Sequence, residues 1–251
     1  MARNRPWHIR QRALVTKGCL EPAEMSAWSQ LRTIGGLGHV GSADALPARL
    51  PCPTTARSAG THAYPMTTRD RLSAEAARLF AERGYHGTSI GDLATALGIQ
   101  KSSVYSHIDK KEDLLVELTS AGADHFHEAL DQLPNDAAPL ERLRLALCAH
   151  LHVVHSQVDV ATIWLKEWRF LSGQAREDFL SSRHLYEQRI RQLFEDAVAA
   201  GEVRSRLDVE HAVLLFFSIG NWAYTWMTAK TDVDAQADAL WSLVRDGLAE
   251  A

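Results

Sequence analysis

Apolar residues recur every three or four positions along most of this chain. From residue 67 onward that spacing is helical almost without a break, and no alternating strand pattern competes with it. Leu72, Ala76, Leu79 and Phe80 share one helical face, and Gly84 follows as a left-handed stop signal. A second helix opens at Thr88 or Ser89, where Ser89 and Asp92 have capping-box spacing, and it turns Ile90, Leu93, Ala94 and Leu97 inward. Gly98 permits a sharp turn, Ile99 plugs the core, and a short helix covers about 101–107. Asp109 and Glu112 form a second capping-box pair, which opens a long helix over 109–133, and Pro134 and Pro139 bracket a loop. Five further segments follow. Leu140, Leu143, Leu147, Leu151 and Val154 stripe the first; Val160, Ile163, Trp164, Trp168 and Leu171 stripe the second. The third covers 174–200 with Phe179, Tyr186, Ile190, Leu193 and Ala197 inward, the fourth 209–228 and the fifth 233–248. The pattern predicts an all-α chain: an N-terminal three-helix domain over 66–115 and a larger helical domain over 116–251.

The first 65 residues break this pattern. They hold six of the eight prolines and six of the fifteen glycines, and carry a net charge of +5 against −9 for the rest. Such composition buries too little apolar surface to offset the entropy of ordering, so residues 1–65 are expected to be mostly disordered. A second expectation is that this segment is not native and that translation starts at Met66, where everything the fold needs begins.

The two short helices around Gly98 make a helix-turn-helix. The first braces the second, which must present small or polar side chains to a major groove about 12 Å wide. Lys101, Ser102, Ser103, Tyr105, Ser106 and His107 meet that demand, while Val104 and Ile108 face inward.

Over residues 67–115 the chain resembles the DNA-binding domain of the tetracycline-repressor family. The resemblance is carried by Phe80-Ala-Glu-Arg-Gly-Tyr, Gly87-Thr-Ser-Ile-Gly-Asp-Leu-Ala, Leu97-Gly-Ile, Ser103-Val-Tyr-Ser-His-Ile and Lys111-Glu-Asp-Leu-Leu, in that order. It implies an Ω-shaped homodimer on a near-palindromic double-stranded operator, a variable ligand domain and no catalysis. By position it implies that Lys101, Ser103, Tyr105 and His107 meet bases and backbone, and that Thr88, Ser89 and Lys111 hold phosphates. Gln100 stands where the family often has a small hydroxyl cap.

The C-terminal half is rich in aromatics. The 209–228 segment is apolar on two sides, with Val213, Phe216, Phe217, Gly220 and Tyr224 on one and Leu215, Ile219, Trp222 and Trp226 on the other. Such a helix must be buried twice, once against a core or cavity and once against a partner subunit. The dimer is therefore expected to use 174–200 and 209–228, helped by Trp241. A small apolar effector is expected between the segments carrying Trp164, Trp168, Tyr186 and Trp222, its polar end oriented by Asn221 or Arg183. Residues 140–248 also resemble regulators of fatty-acid and sterol breakdown that respond to acyl-CoA thioesters. Ser218 and Trp226 replace arginines that some members use for the CoA group, which keeps an uncharged effector in view beside an acyl-CoA or related lipid.

The remaining chemistry narrows the choice. A net charge of −4 gives no global field for nucleic acid, so DNA contact must be local. No apolar run approaches the roughly 20 residues a membrane span needs, and no signal peptide opens the chain, so a cytoplasmic protein is expected. Cys19, Cys52 and Cys148 lack metal-ligand spacing and read as free thiols in a reducing compartment. His150, His152 and His155 point in different directions around a helix, so they make no one-face metal site, and neither metal nor cofactor is expected. There is no phosphate loop, nucleophile elbow or paired catalytic carboxylate for an enzyme. A purely architectural DNA-binding protein is the remaining rival, and it would need no effector.

Overall fold

The computed structural model describes residues 50–52 and 66–248. The expectations for residues 1–49 and 53–65 lie outside this range. Among the described residues the chain is helical and has no strand: α1 (Thr68–Arg83), α2 (Ile90–Leu97), α3 (Lys101–Tyr105), α4 (Lys111–Asp131), α5 (Pro139–Ser156), α6 (Val158–Lys166), α7 (Gly173–Ala199), α8 (Val209–Gly220) and α9 (Val233–Leu248). Two 3₁₀ turns interrupt the series, Glu167–Phe170 after α6 and Ala223–Thr225 after α8. Among the described residues no helix is long and apolar enough to cross a membrane.

The small domain is built as its caps dictate. The Thr67 hydroxyl accepts from Asp70 N–H while the Asp70 carboxylate accepts from Thr67 N–H, and Ser89 and Asp92 repeat this reciprocal cap on α2. Gly98 sits at φ 67°, ψ 32°, a left-handed conformation that sets α3 across the end of α2. Leu72, Leu79, Phe80, Leu93, Val104, Leu114 and Leu115 are all within 1% of fully buried, so α1 to α3 and the start of α4 share one core. Ile99 is only half-buried.

Three element boundaries differ from expectation. α4 begins one residue later than the Asp109 cap predicts, with Lys110 at the cap position, because Asp113, not Glu112, supplies the carboxylate; it accepts from the backbone N–H of both Asp109 and Lys110. The 160–171 stripe is an α-helix only as far as Lys166 and then tightens into the Glu167–Phe170 turn. The 209–228 helix stops at Gly220. A Cβ on Gly220 would lie 2.7 Å from His150 Cδ2, so α8 comes as close to α5 as backbone can, and the chain then leaves in a tighter turn.

In the larger domain α4, α5, α6 and α7 pack against one another and α9 covers α5. Trp241 is only 4% exposed on α9 within the protomer, so it is core there and is not offered to a partner as the sequence suggests. Cys52 and Cys148 are joined in a disulfide that ties the Leu50–Cys52 stretch to α5, which corrects the expectation of free thiols at these two positions. Their separation of 96 residues hides the pairing in the sequence, since only the packed helices bring them together.

Candidate DNA and effector sites

The α3 surface is open as the helix-turn-helix requires. Lys101, Ser102, Tyr105, Ser106 and His107 are exposed and Ser103 is half-exposed, while Val104 and Ile108 are buried beneath them. Tyr105 keeps 48% of its surface free. Gln100 caps α3 by position but makes no side-chain cap bond. The Ser106 hydroxyl donates back to the Ser103 carbonyl at 2.7 Å.

The residues expected to hold phosphate are placed differently. Thr88 is 1% exposed, and its hydroxyl is shared between the Leu79 and Gly84 carbonyls, both at 3.1 Å. Lys111 donates its ammonium to the Tyr85 and Thr88 carbonyls at 2.8 Å and lies 4.0 Å above the Tyr85 ring. Burial pushes its pKa down. Both side chains therefore clamp the loop between α1 and α2 by donating to its backbone carbonyls. Ser89 is exposed, yet its N–H and hydroxyl both donate to Asp92, at 2.7 and 2.6 Å.

The same loop meets the larger domain through residues the periodicity does not single out. Glu167 is 5% exposed, and its carboxylate accepts from Tyr85 N–H at 2.8 Å across 82 residues of sequence. Phe170 stacks on Tyr85 with centroids 5.8 Å apart and meets the His86 ring edge-on at 4.2 Å. Ser172 donates both N–H and hydroxyl to Glu112 at the start of α4, at 2.9 and 2.6 Å. The turn after α6 is thus a direct strut to the DNA domain, beside the long α4. Glu167→Ala is expected to cost about 1–3 kcal/mol, since it leaves Tyr85 N–H buried without an acceptor. Glu167→Gln keeps an acceptor oxygen and should cost less. Urea denaturation checks this, and an alanine variant as stable as the parent would mean the strut carries no energy.

The expected effector residues divide into two groups. Trp164, Trp168, Arg183 and Tyr186 come together. Trp164 lies among Phe126, Phe179 and Tyr186 at centroid distances of 4.5, 5.9 and 6.2 Å. Trp168 stacks on Phe179, and the Arg183 guanidinium sits 5.6 Å from both tryptophan rings while pairing with Glu187. Ser218 and Trp222 stand apart. Ser218 is exposed and bonded to Leu214, and Trp222 is 64% exposed. Trp222 therefore lines no common wall with Trp164 and Tyr186: the end of α8 at Gly220 turns it outward. Asn221 is half-buried. Its Oδ1 and the Trp164 Nε1 are buried without hydrogen-bond partners. A cavity of about 510 Å³ lies elsewhere, between Leu50–Cys52 and the loop before α5.

At the centre of this cluster, the Nδ1 of fully buried His150 lies within hydrogen-bond distance of the Tyr186 hydroxyl, at 3.0 Å. Burial drives the imidazole down to about 3 and the phenol well above its ordinary range, so both are neutral. Nε2 lies against the Gly220 backbone, which favours the charged ring slightly.

Known proteins share both halves of this architecture. Residues 72–118 match the family profile described as bacterial regulatory proteins, tetR family, and residues 136–248 match tetracyclin repressor-like, C-terminal domain. The HTH-type transcriptional repressor KstR2 of Rhodococcus jostii (strain RHA1) is 31% identical over 181 residues, covering 69% of this chain and 87% of that protein. The crystal structure of the TetR family transcriptional regulator PfmR from Thermus thermophilus superposes with a TM-score of 0.66 at 31% identity, covering 74% of this chain and 99% of that one. AibR in complex with isovaleryl coenzyme A and operator DNA gives 0.64 at 27% identity, over 70% of this chain and 96% of that one.

Proposed function

The chain belongs to the tetracycline-repressor (TetR) family of transcriptional regulators, and from that premise we propose a dimeric repressor that leaves its operator when an acyl-CoA thioester or related apolar effector binds the larger domain. The observation that carries the DNA half is α3 itself, which presents Lys101, Ser102, Ser103, Tyr105, Ser106 and His107 over a buried Val104. Ser89 adds a hydroxyl at the start of α2. Two copies related by a twofold axis read half-sites about one helical turn, roughly 10 bp, apart. Such a protein works in the cytoplasm, on the chromosome.

The dimer seam fits the exposed apolar side chains of α7 and α8 and the turn beyond: Leu185, Leu214, Leu215, Trp222 and Trp226. The effector end rests on the aromatic cluster beside Arg183, with Trp164 Nε1 and Asn221 Oδ1 as polar groups lacking a partner in the protein. AibR, a relative with an acyl-CoA in its solved complex, supports that ligand class here. A hundredfold loss of operator affinity needs about 2.7 kcal/mol of coupling, an ordinary allosteric magnitude.

The test is fluorescence anisotropy on a duplex recovered by selection from random-sequence DNA, with and without isovaleryl-CoA and longer acyl-CoA thioesters. Lys101→Ala is expected to weaken binding and flatten the salt dependence by about 0.9 in the log–log slope if its contact is a phosphate. Tyr105→Ala is expected to weaken the selected duplex more than random duplex. Parent-like binding by both variants would overturn the α3 assignment, and an affinity indifferent to every thioester would overturn the effector class.

A further inference from the structure

We propose that Cys52, Cys148, His152 and Asp234 form a binding site for one Zn²⁺ ion per chain when the Cys52–Cys148 disulfide is reduced. The ligands come from three places. Cys148 and His152 are four residues apart on α5, which sets them one turn apart on the same face. Asp234 is in the first turn of α9, which packs on α5. Cys52 is delivered by the Leu50–Cys52 stretch, whose Leu50 carbonyl accepts from the Arg144 guanidinium.

The side chains already converge. One ligand atom from each of the four lies within 4.8 Å of all the others. His152 Nε2 is 2.7 Å from Asp234 Oδ1, and Cys148 Sγ is 3.7 Å from the same oxygen. A tetrahedral ion at about 2.3 Å from sulfur and about 2.0–2.1 Å from nitrogen or oxygen needs ligand atoms roughly 3.3–3.8 Å apart. The pairs straddle that range, and the main movement required is the parting of the two sulfurs once their bond is broken. Two sulfurs, an imidazole and a carboxylate suit Zn²⁺ better than Mg²⁺ or Ca²⁺, which prefer all-oxygen shells.

The charges also fit. Two thiolates and a carboxylate around Zn²⁺ leave one negative charge. Arg144 lies beside it, with Nη1 4.0 Å from Cys52 Sγ, and is itself held by Glu141 and Asp238. A nearby guanidinium favours the thiolate that a metal requires. Cys148 is buried, His152 and Cys52 are half-buried and Asp234 is exposed, so an ion can enter from solvent past the carboxylate.

A paired cysteine couple in a reducing compartment is more often a metal or redox site than a structural bridge. The conversion balances simply. Two equivalents of a small thiol reduce the disulfide to two cysteine thiols and become a disulfide themselves; Zn²⁺ then displaces the two thiol protons. Bridge and ion are mutually exclusive occupants of one site. Either one fastens Cys52 to α5 only fifteen residues ahead of the Thr67 cap of α1.

The experiment uses the full chain, reduced with a phosphine, freed of metal and titrated anaerobically with Co²⁺ and then Zn²⁺. Co²⁺ is expected to saturate at one ion per chain with a thiolate-to-cobalt charge-transfer band that Zn²⁺ abolishes. Cys52→Ser, outside the helical core, should lose the band and weaken Zn²⁺ by more than about a hundredfold in competition with a chelating dye. His152→Ala should weaken it less severely, and the oxidised chain should bind neither ion at this site. Absence of a thiolate band in the reduced chain, or a Cys52→Ser variant that binds like the parent, would overturn the site. No DNA or thioester enters the assay, so its outcome is independent of the repressor reading.

Discussion

Trp164→Ala is expected to lower the unfolding free energy by about 3–5 kcal/mol, the cost of emptying a well-packed aromatic site. Trp164 is 2% exposed and touches Phe126, Phe179 and Tyr186. The surroundings cannot close in from the α4 side either, because a Cβ on Gly122 would already lie 2.8 Å from Trp164 Cβ. The backbone of α4 is against the indole, and neither helix can come nearer. Trp222→Ala, by contrast, removes a side chain that is 64% exposed, and should leave the protomer fold within about 0.5 kcal/mol. Its effect should appear in sedimentation as weaker dimerisation. Denaturant titration of both variants decides between them. A Trp164→Ala protein that melts like the parent would mean that the indole fills no well-packed site.

Acidification is expected to destabilise the protein through His150 by about 1.4 kcal/mol per pH unit below pH 6.5. The sign follows from burial. The folded ring titrates at about 3, whereas an unfolded histidine titrates near 6.5. Between those values the unfolded chain binds a proton that the folded chain refuses, so the stability fully present above pH 6.5 is lost as pH falls. From pH 6.5 to 5.0 this one residue should account for about 2 kcal/mol. His150→Asn, whose side-chain carbonyl can accept from the Tyr186 hydroxyl near the place of Nδ1, is less stable at every pH but lacks this slope. The comparison is made on the difference between pH 7.5 and 5.0 in each protein, because the carboxylates titrate alike in both. Equal slopes would mean that protonated His150 finds a partner inside the fold.

The α3 surface and its bracing were legible without coordinates because they are local. A turn of left-handed glycine at position 98, a capping box at 89–92 and inward Val104 depend on neighbours within a few residues. The larger domain was legible as a count of amphipathic helices for the same reason, and α9 opens at Val233 where its periodicity begins. Trp222 illustrates the opposite case. Helical period alone assigns it to a continuous helix with one side toward the core. In the folded chain that helix ends at Gly220, where its backbone packs closely on His150, and Trp222 lies at the surface beyond it. The placement of Thr88 and Lys111 also depended on tertiary context, since both donate to backbone carbonyls of the loop between α1 and α2.

The sequence by itself determined the features that arise from spacing along one helix: the all-α class, the helix-turn-helix and the exposed face of α3. Only the tertiary structure decided the features that arise from contact across long separations. It made Glu167 a strut onto Tyr85, buried Trp241, and brought Cys52 to Cys148, His152 and Asp234. The physical reason is that a periodic stripe reports which face of a helix avoids water. It does not report which of the other helices that face will meet, and partners 82 or 96 residues away leave no mark on local spacing.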